Sequence, residues 1–177
     1  PEKYALALNT VLPKEVKILK SERVFDDFDA CRKAKRKTYR YSMYISDIDN
    51  PLLDRYNTRI FNHPKIDFEL MKETAKLFVG THDFKAFCAS GSSVKTTERT
   101  IYSFNVKTVK DKMTFTVTGN GFLYNMVRIM SGVLVMVGKG EMTKNEVVSM
   151  LNSGIRPMKV KTLPAKGLCL VKVSYNK

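Results

Sequence analysis

The chain has 177 residues, with 31 Lys plus Arg against 17 Asp plus Glu, a formal charge of +14. A balance that basic favours an acidic partner, nucleic acid before a membrane surface, over a purely solubilising role. The longest apolar run, residues 122–137, is broken by Asn125 and Arg128, and the N-terminus shows no charged, then apolar, then small-residue signal, so neither a membrane span nor a secretory leader is expected.

An apolar share of 44% is enough for a proper core. The sequence opens at Pro1, without Met, directly into YALALNTVL, a start that reads as part of a longer protein. Tyr4, Leu8 and Leu12 share a helical face, and Pro13 closes the run. Val16, Ile18 and Val24 belong to an extended segment of rough period two. Residues 37–45 alternate cleanly, with Tyr39, Tyr41, Met43 and Ile45 on one face and Thr38, Arg40, Ser42 and Tyr44 on the other, the pattern of a half-buried strand. Residues 47–64, rich in Asp, Asn and Pro, read as an irregular connection, and 66–79 as an amphipathic helix stopped by Gly80. Two strands, about 100–109 and 113–118, join through a tight KDK turn. Gly119-Asn120-Gly121 then leads into an apolar helix over 122–137. Thr143 with Glu146 is a capping-box signature for a helix ending near Asn152, and 168–175 is a closing strand. Helices interspersed with mostly antiparallel strands predict an α+β fold, a mostly antiparallel sheet with helices packed on it, with no internal domain boundary.

Cys31, Cys88 and Cys169 lie far apart with no CxxC pair and read as free thiols in a reducing compartment, which makes a cytoplasmic location the expectation. His63 and His82 have no cysteine near them in sequence, so no metal is expected. His82-Asp83 fits a turn that caps the next element better than an acid-base pair. GNGFLY places Tyr124 where a dinucleotide loop needs its third glycine, and GVLVMVGKGE places Gly140 where a phosphate loop needs Ser or Thr. Both read as turns.

Two features remain. In RKAKRKTYRYSMY, the cations Arg32, Lys33, Lys35, Arg36, Lys37 and Arg40 crowd around Tyr39, a pairing that suits a flat, anionic partner whose base stacks on the ring. Arg128 is the only charge in FLYNMVRIMSGVLVMV and has no obvious carboxylate partner in the sequence. At helical spacing it shares a face with Tyr124, Asn125 and Gly132, and Gly132 would let another backbone come close.

The ordered segments ALNTVLP, FDACRKAKRKTYRY, FVGTHDFKAFCASG, ERTIYSFNV, FTVTGNGFLYNMVRIMSG and KGLCLVKV resemble the tRNA pseudouridine synthase A family across nearly the whole chain. The resemblance implies an enzyme that isomerises uridines in the anticodon stem-loop of tRNA, without cofactor or metal, as a homodimer. In that family an aspartate of a GRTDxGVHA loop is the nucleophile acting on a flipped-out uridine. Tyr39, the Tyr of KTYRY, would stack on the uracil and could take its carbon-bound proton. Arg128, the Arg of NMVRIMSG, would pair with the nucleophilic aspartate, and the cations around Tyr39 would hold the tRNA backbone. No RTD tripeptide occurs in the 177 residues, and Asp26, Asp27, Asp29 and Asp83 lie in other motifs. The expectation is therefore a single domain, the C-terminal, RNA-binding and partial active-site portion of such a synthase, inactive by itself. The charge alone would equally support a non-catalytic RNA-binding module. An enzyme acting on nucleotides through GNGFLY is a third, weaker reading.

Overall fold

The computed structural model describes residues 2–61, 65–91 and 93–175. The chain forms two compact units, residues 1–33 and 34–177.

In the first unit, α1 (Glu2–Val11) is the helix expected from the N-terminal pattern. The segment after it joins no strand. Its backbone is met instead by the Asn9 side chain, which accepts from Ile18 N (2.9 Å) and donates to Ile18 O (2.8 Å). That amide takes the place a neighbouring strand would fill, which is why the period-two pattern yields no ladder here.

The second unit is built on a six-stranded sheet: β1 (Arg36–Ile45), β2 (Thr58–Ile60), β3 (Gly80–Asp83), β4 (Glu98–Val109), β5 (Lys112–Gly119) and β6 (Leu168–Ser174). The strand order is β2-β1-β5-β4-β3, and β6 also pairs with β1. β6 takes the first half of β1, antiparallel along Arg36–Tyr41, while β2 runs parallel to its last residues, Met43–Ile45. All other pairings are antiparallel. The fold is α+β, as expected.

Alternation sorts the sheet into two faces. Tyr41 and Met43 of β1, Met113, Phe115 and Val117 of β5, and Ile101 and Phe104 of β4 enter the core. Thr114, Thr116 and Thr118 alternate with them on the opposite face. The hairpin between β4 and β5 turns at Lys110, whose φ of 52° is left-handed, and Asp111. Helices α3 (Phe68–Ala75) and α4 (Met126–Gly138) pack against each other and contribute Met71, Ala75, Ile129, Met130 and Val133 to the same core. Met126–Gly138 is buried almost all round, as a sequence apolar except at Arg128 and Ser131 requires. It stops in a Schellman arrangement, with Glu141 N bonded to Met136 O (2.9 Å) and Gly140 N to Val137 O (3.0 Å). Gly140 sits at φ 72°, so GVLVMVGKGE is a helix end, the turn expected of it. The capping box of Thr143 and Glu146 opens α5 (Lys144–Ser153).

Several differences from the sequence expectation have local causes. The connection 47–64 holds a one-turn helix, α2 (Pro51–Asp54), capped by Asn50, as well as β2. Both are too short to show a period. β3 was expected as a turn; the cap survives at its end, where Asp83 Oδ1 accepts from Lys85 N (2.9 Å). Tyr44 alternates to the side away from the core yet is only 2% exposed, because the chain leading into α2 lies over it and Asn50 N donates to its hydroxyl (3.2 Å). Finally, α4 begins at Met126 and not at Phe122. The four residues before it are the wall of a cleft.

Candidate active-site cleft

Tyr39 lies on the core side of β1, between Val117 of β5 and Leu170 of β6. Its ring is half-buried and meets Phe122 edge-on, with centroids 5.2 Å apart and planes at 86°. These two rings, with Leu123, Asn125, Val127 and Leu168, line a cleft of about 250 Å³. Tyr124, beside it, is 57% exposed. An apolar slot walled by ring edges, with one amide in it, suits a planar ring carrying polar edges.

Residues 122–125 stay non-helical because they are held from outside. Tyr124 O accepts from Ala89 N (3.0 Å), and Asn125 takes a left-handed conformation, φ 58° and ψ 8°. A residue preceding a helix usually caps it by accepting from an N–H of the first turn. Asn125 makes no such bond; its Oδ1 accepts from Arg128 Nη1 at 2.8 Å instead.

Arg128 stands one helical turn before Gly132, and both meet the segment 161–163. Arg128 Nε donates to Leu163 O (2.6 Å), and a Cβ on Gly132 would lie 2.6 Å from Lys161 O. Gly132 thus admits another backbone, as its place in the sequence suggested. Among the described residues Arg128 makes no ion pair; its two partners are neutral oxygens. Its charge also acts on Tyr41, whose hydroxyl donates to Pro164 O (2.6 Å) and accepts from Thr58 Oγ1 (2.7 Å). Burial pushes the Tyr41 phenol up to about 12 despite the Thr58 bond and the Arg128 charge, so it remains a neutral donor.

Gly132→Ala is expected to cost about 1–3 kcal/mol, because its methyl group meets a backbone oxygen that cannot rotate away. At about 2–4 °C per kcal/mol for a chain of this size, thermal melts should fall by several degrees. A melting temperature equal to that of the parent would show that 161–163 does not press on α4.

The strand's alternation divides the cations around Tyr39. Lys37 is on the same side of β1 as the ring, whereas Arg36 and Arg40 point to the opposite face. There Arg36 lies over the Tyr102 ring at 4.8 Å, and Lys172 is paired with Thr38. Lys35 is exposed just before the strand, its backbone N bonded to Ser174 O. Arg32 and Lys33 belong to the first unit and pair with Asp29 (3.8 Å) and Asp27 respectively. Sequence reasoning therefore named Tyr39 and Arg128 but passed over Phe122 as a wall and Asn125 as a partner. The bond from Asn125 to Arg128, three residues on, was the available signal. His82 bonds Val79 O through Nε2 (3.1 Å), His63 lies outside the described residues, and no cluster of metal-ligating side chains occurs among the described residues. No helix among them is long and apolar enough to cross a membrane.

Comparison with known proteins gives these features a class. A profile described as tRNA pseudouridine synthase matches residues 74–176, which hold β3 to β6, α4 and most of the cleft. The tRNA pseudouridine synthase A of Acetivibrio thermocellus is 44% identical over 174 residues, 98% of this chain and 70% of the relative. That of Clostridium acetobutylicum is 42% identical over 175 residues, 99% of this chain and 71% of the relative. That of Syntrophotalea carbinolica is 40% identical over 172 residues, 97% and 68%. The chain belongs to the tRNA pseudouridine synthase A family.

Proposed function

We propose that these residues serve an enzyme converting uridines of the tRNA anticodon stem-loop to pseudouridine. The Tyr39 cleft receives the flipped base, and Arg128 pairs with the nucleophilic aspartate. The observation that supports this most is the link between the two residues. Asn125 lines the cleft with Tyr39 and accepts a hydrogen bond from Arg128, so an unpaired guanidinium is tethered to the wall of a slot for a flat ring. The reaction is an isomerisation. The bond from ribose C1′ to uracil N1 breaks, a bond from C1′ to C5 forms, C5 loses its proton and N1 gains one. On this reading Tyr39 takes the C5 proton, and no oxidant, metal or cofactor enters the balance.

The 177 residues contain no RTD tripeptide, and the relatives extend beyond the matched part, so the nucleophile on this reading comes from sequence outside these residues. Residues 1–177 then act as one C-terminal, RNA-binding and partial active-site domain. Lys37 holds phosphate on the cleft side, while Arg36 and Arg40 do so from the open face of the sheet; Arg32, Lys33 and Lys35 extend the basic run. A tRNA is long compared with one such subunit, which favours a cytoplasmic homodimer whose second copy steadies the body of the RNA.

Tritium release from uracil C5 of tRNA tests the reading. The full-length protein is expected to release it, and the 177-residue chain to bind tRNA without release. Replacing Lys35, Arg36 and Lys37 with Ala should lower the slope of log affinity against log salt by about 2–3, since each lost phosphate contact removes about 0.9. Binding without release by the full-length protein would instead establish a non-catalytic RNA-binding module. Release by the 177-residue chain alone would place the nucleophile within it.

A further inference from the structure

We propose that Asn125 is a positioning residue for Arg128, a role that rests on the reading of Arg128 given above. Asn is one of the few residues besides Gly that occupies the left-handed region at small cost. At φ 58° it can turn the chain from the cleft wall into α4 without a glycine. A glycine, however, would have no side chain, and here the side chain is used. Its Oδ1 is turned away from the first-turn N–H groups, the usual partners at a helix start, and meets Arg128 Nη1 at 2.8 Å. With Nε fixed on Leu163 O, the guanidinium is held at two edges, and its rotation about the side-chain bonds is blocked. The backbone conformation and the amide thus serve one end: they aim a positive charge at the cleft before its carboxylate partner or the substrate arrives.

Asn125→Gly separates the two functions of the residue, because it keeps the left-handed turn and removes only the acceptor. In the full-length enzyme we expect kcat for tritium release to fall about 10- to 100-fold, the range for losing a hydrogen bond to a charged group. KM for tRNA and the melting temperature should stay near those of the unaltered enzyme. In an Arg128→Lys background, whose side chain lacks Nη1, the same change should cost little more, since Asn125 acts through the guanidinium. In the 177-residue chain, the nitrogen NMR signals of the Arg128 guanidinium should show restricted rotation that Asn125→Gly releases. Three results overturn the proposal: unaltered turnover in Asn125→Gly, an equal loss in the Arg128→Lys background, or guanidinium signals that do not change. Loss of turnover in Arg128→Met with full turnover in Asn125→Gly sinks this role alone. Full turnover in Arg128→Met sinks the reading of Arg128 and this role with it.

Discussion

Tyr39→Phe in the full-length enzyme is expected to hold tRNA as the unaltered enzyme does and to lose about 10²- to 10⁴-fold in turnover, the usual contribution of a positioned proton acceptor. The structure makes this substitution clean. The ring's edge contact with Phe122 and its backbone pairing with Val117 and Leu170 do not involve the phenol, so Phe preserves the cleft wall and removes one oxygen. Tyr39→Leu removes the ring as well, and with it an aromatic contact of about 0.5–1.5 kcal/mol, so both turnover and tRNA affinity should drop. Tritium release and equilibrium tRNA binding, measured on both variants, check the two expectations. Full turnover in the Leu variant would make Tyr39 simply the next core ring after Tyr41 along β1.

Arg128→Met should separate chemistry from stability in the other direction. On the proposed pairing, the change leaves the carboxylate of the full-length enzyme without its cation, which costs about 3–5 kcal/mol for a buried pair, equivalent to about 10²- to 10³-fold or more in rate. In the 177-residue chain the same substitution forfeits the hydrogen bonds to Leu163 O and Asn125 Oδ1 but also removes a half-buried charge that has no anionic partner among the described residues. The two effects oppose each other, and a net loss of about 1–2 kcal/mol is expected. Melts of the chain beside single-turnover rates of the full-length enzyme test the pair of values. If the chain loses as much stability as the enzyme loses barrier stabilisation, Arg128 is a brace for 161–163 and no more.

The parts of this fold that were legible in the sequence are those whose side chains repeat. β1, β4 and β5 each carry an inward apolar series, and the Thr143–Glu146 box marks the start of α5. What escaped depends on backbone conformation or on partners far along the chain. β2 and β3 are recognisable only by the strands beside them. Phe122 to Asn125 look like helix by composition, because apolar residues adjoining an apolar helix extend its pattern; the left-handed Asn125 ends it. Alternation along β1 also divides the basic run, sending Lys37 to one side and Arg36 and Arg40 to the other. Within the site, Arg128 stood out because a lone charge in an apolar run is conspicuous. Its neutral partners Leu163 O and Asn125 Oδ1 carry no such mark.

The pairing of β6 with β1 joins nearly the first and the last residues of the second unit, and Leu170 of that closing strand lies directly beside Tyr39. Such a contact must wait for residues 168–174 to leave the exit tunnel: until then the strand bearing Tyr39 has a bare edge where β6 belongs. Segment 161–163, which receives Arg128, emerges almost as late. Contacts this distant along the chain close slowly, and domains fold as units once their sequence is out. The cleft is therefore among the last features of the second unit to form. A nascent chain stalled before residue 160 would already possess the β4–β5 hairpin and helix α4, yet Tyr39 would lack its β6 neighbour Leu170 and Arg128 its acceptor Leu163 O.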